Sequence, residues 1–201
     1  MNTTLIACEA MPRLNNELPC RVRPLQPADL GALMAIQRAC YGAEYAESES
    51  IFARRIASPA QCSLVVEREG ALLAYLAAYW SVAGKVTPLH GDFEACAVPE
   101  VLYLHDMAVH PAHAGQRLAG RLLAPLWAQA RERGIRQSSL VSVQGTQDYW
   151  RRHGYRLQAL QDPAQLQRLA SYGEHAVYMQ RGFDGHTLSV HGESGDNAGY
   201  A

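Results

Sequence analysis

The chain has 201 residues, a formal net charge of -1 at pH 7, 48% hydrophobic and 18% charged residues. That length suits one sizeable core and is short for two. The near-neutral charge, with no basic stripe interleaved with aromatics, argues against a nucleic-acid partner, and no run approaches the ~18 apolar residues of a membrane helix.

Residues 1–20 lack the basic start and long apolar centre of a signal peptide, so they are expected to form a flexible leader to one cytoplasmic domain over 21–183. RVRPL, from Arg21, alternates as a first strand; Pro27 and Asp29 then open a helix with Leu30, Leu33, Met34 and Ile36 on one side. Residues 41–50 form a polar crossing. Glu47 and Glu49 there read as a solvated acidic turn rather than as attractors of an ammonium group. A second helix is predicted around 51–56, then strands at 62–67 and 72–82 joined at Glu69-Gly70 as a hairpin. Residues 83–100 hold Gly84, Pro88, Gly91 and Pro99 without any period and form a long loop of the kind that shapes binding sites.

The apolar run from Leu102 reads as a buried strand that breaks at Pro111 and Gly115, and Leu118, Leu122, Leu123 and Leu126 then recur at helical spacing. A strand at 139–143 precedes a turn at Gly145, a short helix from about Thr146 and a Gly154-Tyr155 step. A strand to about Leu160, a helix from Pro163 and a strand at 175–181 follow, and the polar, Gly- and Ser-containing segment 184–201 is expected to be a disordered tail. Five cysteines, an odd count with no CxxC pair, read as reduced thiols, with Cys40 and Cys62 packed as small apolar groups. His110 and His113 make an H-x-x-H spacing without an acidic or cysteine partner nearby, so no metal is expected.

A strand that opens through a Pro/Gly loop onto a helix builds an anion site, because the first N–H groups of the helix lack internal partners and its dipole favours a phosphate. Neither a Walker loop nor a G-x-G-x-x-G fingerprint is present. The segment LYLHDMAVHPAHAGQRLAGRLL instead resembles the acetyl-CoA loop of the GNAT superfamily of N-acetyltransferases, an L-x-V-x-P strand end followed by Q/R-x-x-G-x-G/A. Met107, Val109 and Pro111 fit the strand end; Gly115 and Ala119 fit the loop. Ala114 replaces the usual Gln or Arg, and Arg117 replaces the first spaced glycine. Arg117 brings a guanidinium suited to a pyrophosphate and also a Cβ that crowds the loop, two effects of opposite sign.

The resemblance implies a single-domain mixed α/β (α+β) fold, a largely antiparallel central sheet flanked by helices, with two central strands splayed around pantetheine. It implies that Met107, Ala108, Val109, Gly115, Gln116, Arg117, Leu118, Ala119 and Gly120 bind acetyl-CoA, with the Met107 and Val109 N–H groups orienting the thioester. The segment SLVSVQGTQDYWRRHGYRL resembles the superfamily's closing motif, whose Tyr-x-x-x-Gly-Phe helix lies beside the cofactor thiol. Trp150 stands at the usual tyrosine position, which leaves Tyr149, roughly 100° away around the helix, as the candidate general acid.

An alkylamine with a pKa near ~10.4 is neutral in only roughly one molecule in 2,500 at pH 7, and only that form attacks a thioester, so a base is required. The segment Leu104-His105-Asp106-Met107-Ala108-Val109-His110 is similar to the Leu-His-Ala-Leu-Ala-Val-His of the arylalkylamine (serotonin) N-acetyltransferases, which implies that His105 lies on the proton-removal path. Tyr103 replaces a second histidine of that family. Strand alternation places Tyr103 and His105 on one face and Asp106 on the other, and Asp106 reads as a structural hydrogen-bond acceptor. Tyr45, Tyr79, Tyr103 and Trp150 are candidates to line an aromatic acceptor slot, although strand aromatics are more often core.

The sequence therefore points to direct acetyl transfer from acetyl-CoA to a small (aryl)alkylamine in a ternary complex, by a monomer or homodimer without a metal. A protein acceptor and a catalytically silent CoA-binding regulatory module are the alternatives.

Overall fold

A computed structural model describes residues 19–42 and 45–183. The expected tail and all but the last two residues of the expected leader lie outside the described residues. In chain order the elements are β1 (Arg21–Pro24), α1 (Leu30–Cys40), α2 (Glu49–Ala57), β2 (Leu64–Arg68), β3 (Ala71–Ser81), β4 (Val101–Val109), α3 (Leu118–Glu132), β5 (Gln137–Ser142), α4 (Gln147–Arg152), β6 (Arg156–Leu157), α5 (Pro163–Ala170) and β7 (Val177–Gly182). The strands form one sheet in the order β1-β2-β3-β4-β5-β7-β6, in which only β4 and β5 run parallel.

Local chemistry accounts for the boundaries. Glu69 and Gly70 both take positive φ (53° and 79°), the geometry of a two-residue hairpin turn, and so join β2 to β3. Ser48 caps α2 by accepting from the Ile51 N–H, and Asp162 caps α5 through the Ala164 N–H with Pro163 at the first helical position. β6 stops at Leu157 rather than near Leu160, and the chain leaves the sheet there to enter α5. Pro27–Asp29 is a short 3-10 turn before α1, held by the Asp29 carboxylate, which accepts from the Gln26 N–H at 2.9 Å and from Arg23 at 2.6 and 2.8 Å.

The central strand β3 is buried along most of its length because both faces are covered. Ala74, Leu76, Ala78 and Trp80 face α3 (Leu118, Leu122, Leu123, Leu126), whereas Tyr75, Ala77 and Tyr79 face α1 and α2 (Leu33, Ile36, Phe52).

Two irregularities of β4 create the site. Ala77 pairs with Asp106 and Ala78 with Leu104, so His105 is an extra, bulged residue. On the other side, the parallel pairing with β5 runs from Val101↔Gln137 to Leu104↔Leu140 and stops, so that among the described residues the C-terminal half of β4 has no strand neighbour on that side.

Candidate active site

The parting of β4 and β5 opens a cavity of about 320 Å³. Leu104, His105, Asp106 and Met107 form one wall; Leu140, Val141 and Val143 form the other, and Ala119 of α3 with Tyr149 and Trp150 of α4 close the end. The His110 N–H is given to Leu73 O on the β3 side at 2.9 Å, so strand alternation turns the peptide N–H groups of Met107 and Val109 toward the open side and that of Ala108 toward β3. Ala108 is thus set apart from the other expected cofactor residues: its side chain packs in the core beneath α1 and its peptide is taken by β3.

At the mouth of this cleft, the backbone N–H groups from Gly115 to Gly120 donate to no acceptor among the described residues, and α3 begins at Leu118. Unpaired N–H groups at the start of a helix suit an anion, the chemistry the sequence leads one to expect of this loop, and here they come from backbone rather than side chains. Arg117 stands at the N-cap with φ 58° and ψ 26°, the left-handed conformation that glycine adopts freely, so the loop keeps its shape at a cost in strain. The Leu118 side chain turns into the core below α3, leaving only its backbone to the site.

The bulge corrects one expectation. Simple alternation would separate His105 from Asp106, but the extra residue puts both on the α1/α2 face. Asp106 accepts from the Tyr41 hydroxyl at 2.6 Å and from the Tyr75 hydroxyl, the acceptor role expected of it. Burial pushes its pKa up, and the two tyrosine hydrogen bonds oppose that rise.

Glu47 is a second correction. It is no solvated turn: only 4% of it is exposed, and Arg55 of α2 grips its carboxylate with two nitrogens. Its backbone N–H is held by Gln37 Oε1 at 2.6 Å. Glu49 is exposed, as expected. Arg55 also donates to Gly91 O at 2.9 and 2.7 Å, which pins the long loop between β3 and β4 over the pair. Gly91 is required there, since a Cβ would sit 2.7 Å from Pro88 Cγ. Burial works against the charge on Glu47, but the Arg55 guanidinium and the hydrogen bond with His105 offset it and hold its pKa below the usual carboxylate range.

His105 touches this network. Its Nε2 lies 3.2 Å from Glu47 Oε2 and its Nδ1 lies 3.4 Å from the Tyr172 hydroxyl, with its side chain only 1% exposed. Burial and Arg55 hold its pKa below the ordinary imidazole value, against the pull of Glu47, so the resting ring is neutral near pH 7. A smaller cavity of about 50 Å³, on the far side of His105 and Asp106 from α3, is lined by Tyr41, Tyr45, Glu47, Leu89 and Tyr172.

Tyr149 and Trp150 both line the main cavity, with ring centroids 5.1 Å apart and planes at 82°. Burial raises the Tyr149 pKa, so its hydroxyl stays protonated at neutrality. Of the four candidate acceptor-site aromatics, Tyr45 lines the small cavity and Trp150 the large one. Tyr79 and Tyr103 line neither: both are fully buried core rings, 5.2 Å apart, beneath His105. Sequence reasoning missed Tyr41, Tyr172 and Arg55. None lies within 30 residues of His105 in the chain, and none belongs to a motif.

Residues 30–155 match the model of the Acetyltransferase (GNAT) family, and the chain belongs to that family. It is an acyltransferase family, and its members use an acceptor substrate. Among solved structures the chain is similar to the ribosomal-protein-S18-alanine N-acetyltransferase from Escherichia coli (16% identity, covering 90% of this chain and 100% of that one, TM-score 0.61). It is also similar to the GphF GNAT-like decarboxylase in complex with isobutyryl-CoA (21% identity, 81% and 98% covered, TM-score 0.63). A GNAT family acetyltransferase from Brucella melitensis in complex with acetyl-CoA shares 24% identity (69% and 83% covered, TM-score 0.51). At these identities the likeness is one of fold. No curated protein matches the chain. Among the described residues no helix is long and apolar enough to cross a membrane.

Proposed function

We propose that the protein is an acetyl-CoA-dependent N-acetyltransferase that transfers the acetyl group directly to a small primary amine, an alkylamine or arylalkylamine, in a ternary complex. The observation that carries this reading is the cleft between β4 and β5, with His105 on one wall and Tyr149 at its closed end. Acetyl-CoA supplies the activated thioester. The outward N–H groups of Met107 and Val109 suit its carbonyl and amide groups, and the free N–H groups from Gly115 to Gly120 suit its pyrophosphate. Arg117 adds positive charge at that mouth.

In this reading His105 removes the amine's proton, directly or through water in the small cavity, and Tyr149 gives a proton to the departing sulfur. The small volume beside Tyr45 and Glu47 favours a small amine over a polypeptide. The local likeness of Leu104 to His110 to the arylalkylamine enzymes supports the same choice. The setting proposed is cytoplasmic.

A second reading, a CoA-binding module without catalysis, draws on the departures at Ala114, Arg117 and Trp150. Calorimetric titration with acetyl-CoA and with CoA, followed by thiol release over an amine panel, tests both. Micromolar binding with release dependent on amine is the result expected; binding without release would leave the sensing role, and no binding to either would remove both readings.

A further inference from the structure

The hydrogen bonds around Glu47 dictate where the hydrogen on His105 sits. Oε1 accepts from Arg55 Nη2 at 2.6 Å and from the His90 N–H at 2.8 Å. Oε2 is shared by Arg55 Nη1 and His105 Nε2. An ionised carboxylate only accepts, so the ring nitrogen facing it must carry a hydrogen. A neutral imidazole has one N–H, which leaves the lone pair on Nδ1. That nitrogen faces the Tyr172 hydroxyl, whose own proton is directed to Thr87 O at 2.8 Å.

We propose that Glu47 is a positioning residue that fixes His105 as the Nε2–H tautomer, so that Nδ1, on the Tyr172 side, is the atom that takes the proton from the amine. The inference rests on His105 being the base of the proposed transfer. An ammonium substrate loses one proton before attack and a second as the C–S bond breaks. The first goes to Nδ1 and on to water; the second ends on the CoA thiol. While protonated, the ring donates from Nε2 to Glu47 and from Nδ1 to the Tyr172 oxygen, which keeps its own proton on Thr87 O. Every donor and acceptor is then paired. The surroundings are thus more complete for the imidazolium than for the neutral ring, which is how preorganised groups favour a charge that appears only during reaction.

The charged and titratable groups packed around the ring are Glu47 from the crossing before α2, Arg55 from α2, Tyr103 and Asp106 from β4, and Tyr172 just past α5; His90 reaches Glu47 from the opposite side. Burial and the Arg55 charge keep the ring neutral at rest, while Glu47, held in place by Arg55, leaves a carboxylate waiting beside it. The same pairing of a histidine with an orienting carboxylate governs tautomer choice in triad enzymes.

The test is long-range ¹H–¹⁵N correlation on the full chain labelled with ¹⁵N-histidine, His105 being assigned by comparison with His105→Gln. The wild-type ring is expected to carry its hydrogen on Nε2 at pH 7. Glu47→Leu with Arg55→Met, which removes both charges together, is expected to move the hydrogen to Nδ1. It should also lower kcat about 10²-fold with the KM for acetyl-CoA unchanged. Tyr172→Phe is expected to keep the hydrogen on Nε2, since Glu47 sets it. A wild-type Nδ1–H signal overturns the proposal, as does a folded double variant with the wild-type tautomer and rate, or a tautomer that flips in Tyr172→Phe. The tautomer is read without turnover, so a chain that acetylates no amine would remove the enzyme reading and leave the role of Glu47 decided by the spectrum.

Discussion

The Tyr41 hydroxyl donates to Oδ1 of Asp106 at 2.6 Å, joining the end of α1 to the bulge of β4. Tyr75 donates to the other oxygen from β3, so two hydroxyls keep a buried carboxyl satisfied. Tyr41→Phe should therefore destabilise the fold by about 1–3 kcal/mol, the cost of leaving a buried acceptor unpaired. Burial already raises the Asp106 pKa, and removing a donor raises it further. The folded variant then holds a proton that the unfolded chain releases near the ordinary ~3.9, so the deficit grows as pH rises toward neutrality and shrinks in acid. Urea melts at several pH values measure it.

His105→Ala should lower kcat by about 10²–10⁴-fold while calorimetry finds acetyl-CoA affinity nearly unchanged. The active ring is neutral and its pKa lies below the ordinary imidazole value. Wild-type activity should accordingly hold as pH falls past ~6.5 and decline only below that, and this acidic limb should vanish in the variant. An unchanged pH–rate profile removes His105 from the mechanism.

Tyr149→Phe should reduce kcat by about 10²-fold, the lower end for general acid catalysis, and leave acetyl-CoA binding intact. Trp150→Phe, which keeps an aromatic wall beside the same cavity, should cost far less. Equal losses in the two variants, measured by thiol release, would assign the proton to another donor.

Arg117→Gly should raise stability by about 1 kcal/mol, because the αL conformation costs a side-chain-bearing residue about that much. The same change removes a cation from the mouth of the cleft, so acetyl-CoA affinity should fall at low salt and the difference should narrow as salt rises. Thermal melts and calorimetry at two ionic strengths separate the two effects.

Much of this architecture was legible from local pattern. Pro111, Gly115 and the leucines from Leu118 marked strand, loop and helix, and Glu69-Gly70 marked the hairpin, because each signal lies within a few residues of the element it sets. The bulge at His105 was not legible, since alternation assumes one residue per pleat and the extra residue is defined only by pairing with β3. Glu47 misled for a related reason. Among serines and glutamates it looked solvated, yet its partners are Arg55 a helix turn and more away, His90 in the long loop and His105 in β4, brought together only by tertiary folding. Tyr79 and Tyr103 looked like candidate lining residues and proved to be core, a distinction that depends on which ring lies beneath which.

Beyond Leu104 the sheet is two half-sheets, β1 to β4 and β5 to β7, whose facing edges no longer exchange hydrogen bonds. An extended, amide-bearing ligand laid in that gap would take the position of a missing strand and stitch the halves together. Occupancy would then act as a mechanical fastener as well as a supply of acyl groups. Amide exchange along the latter part of β4 would slow on binding, and the melting temperature would climb with ligand concentration by mass action.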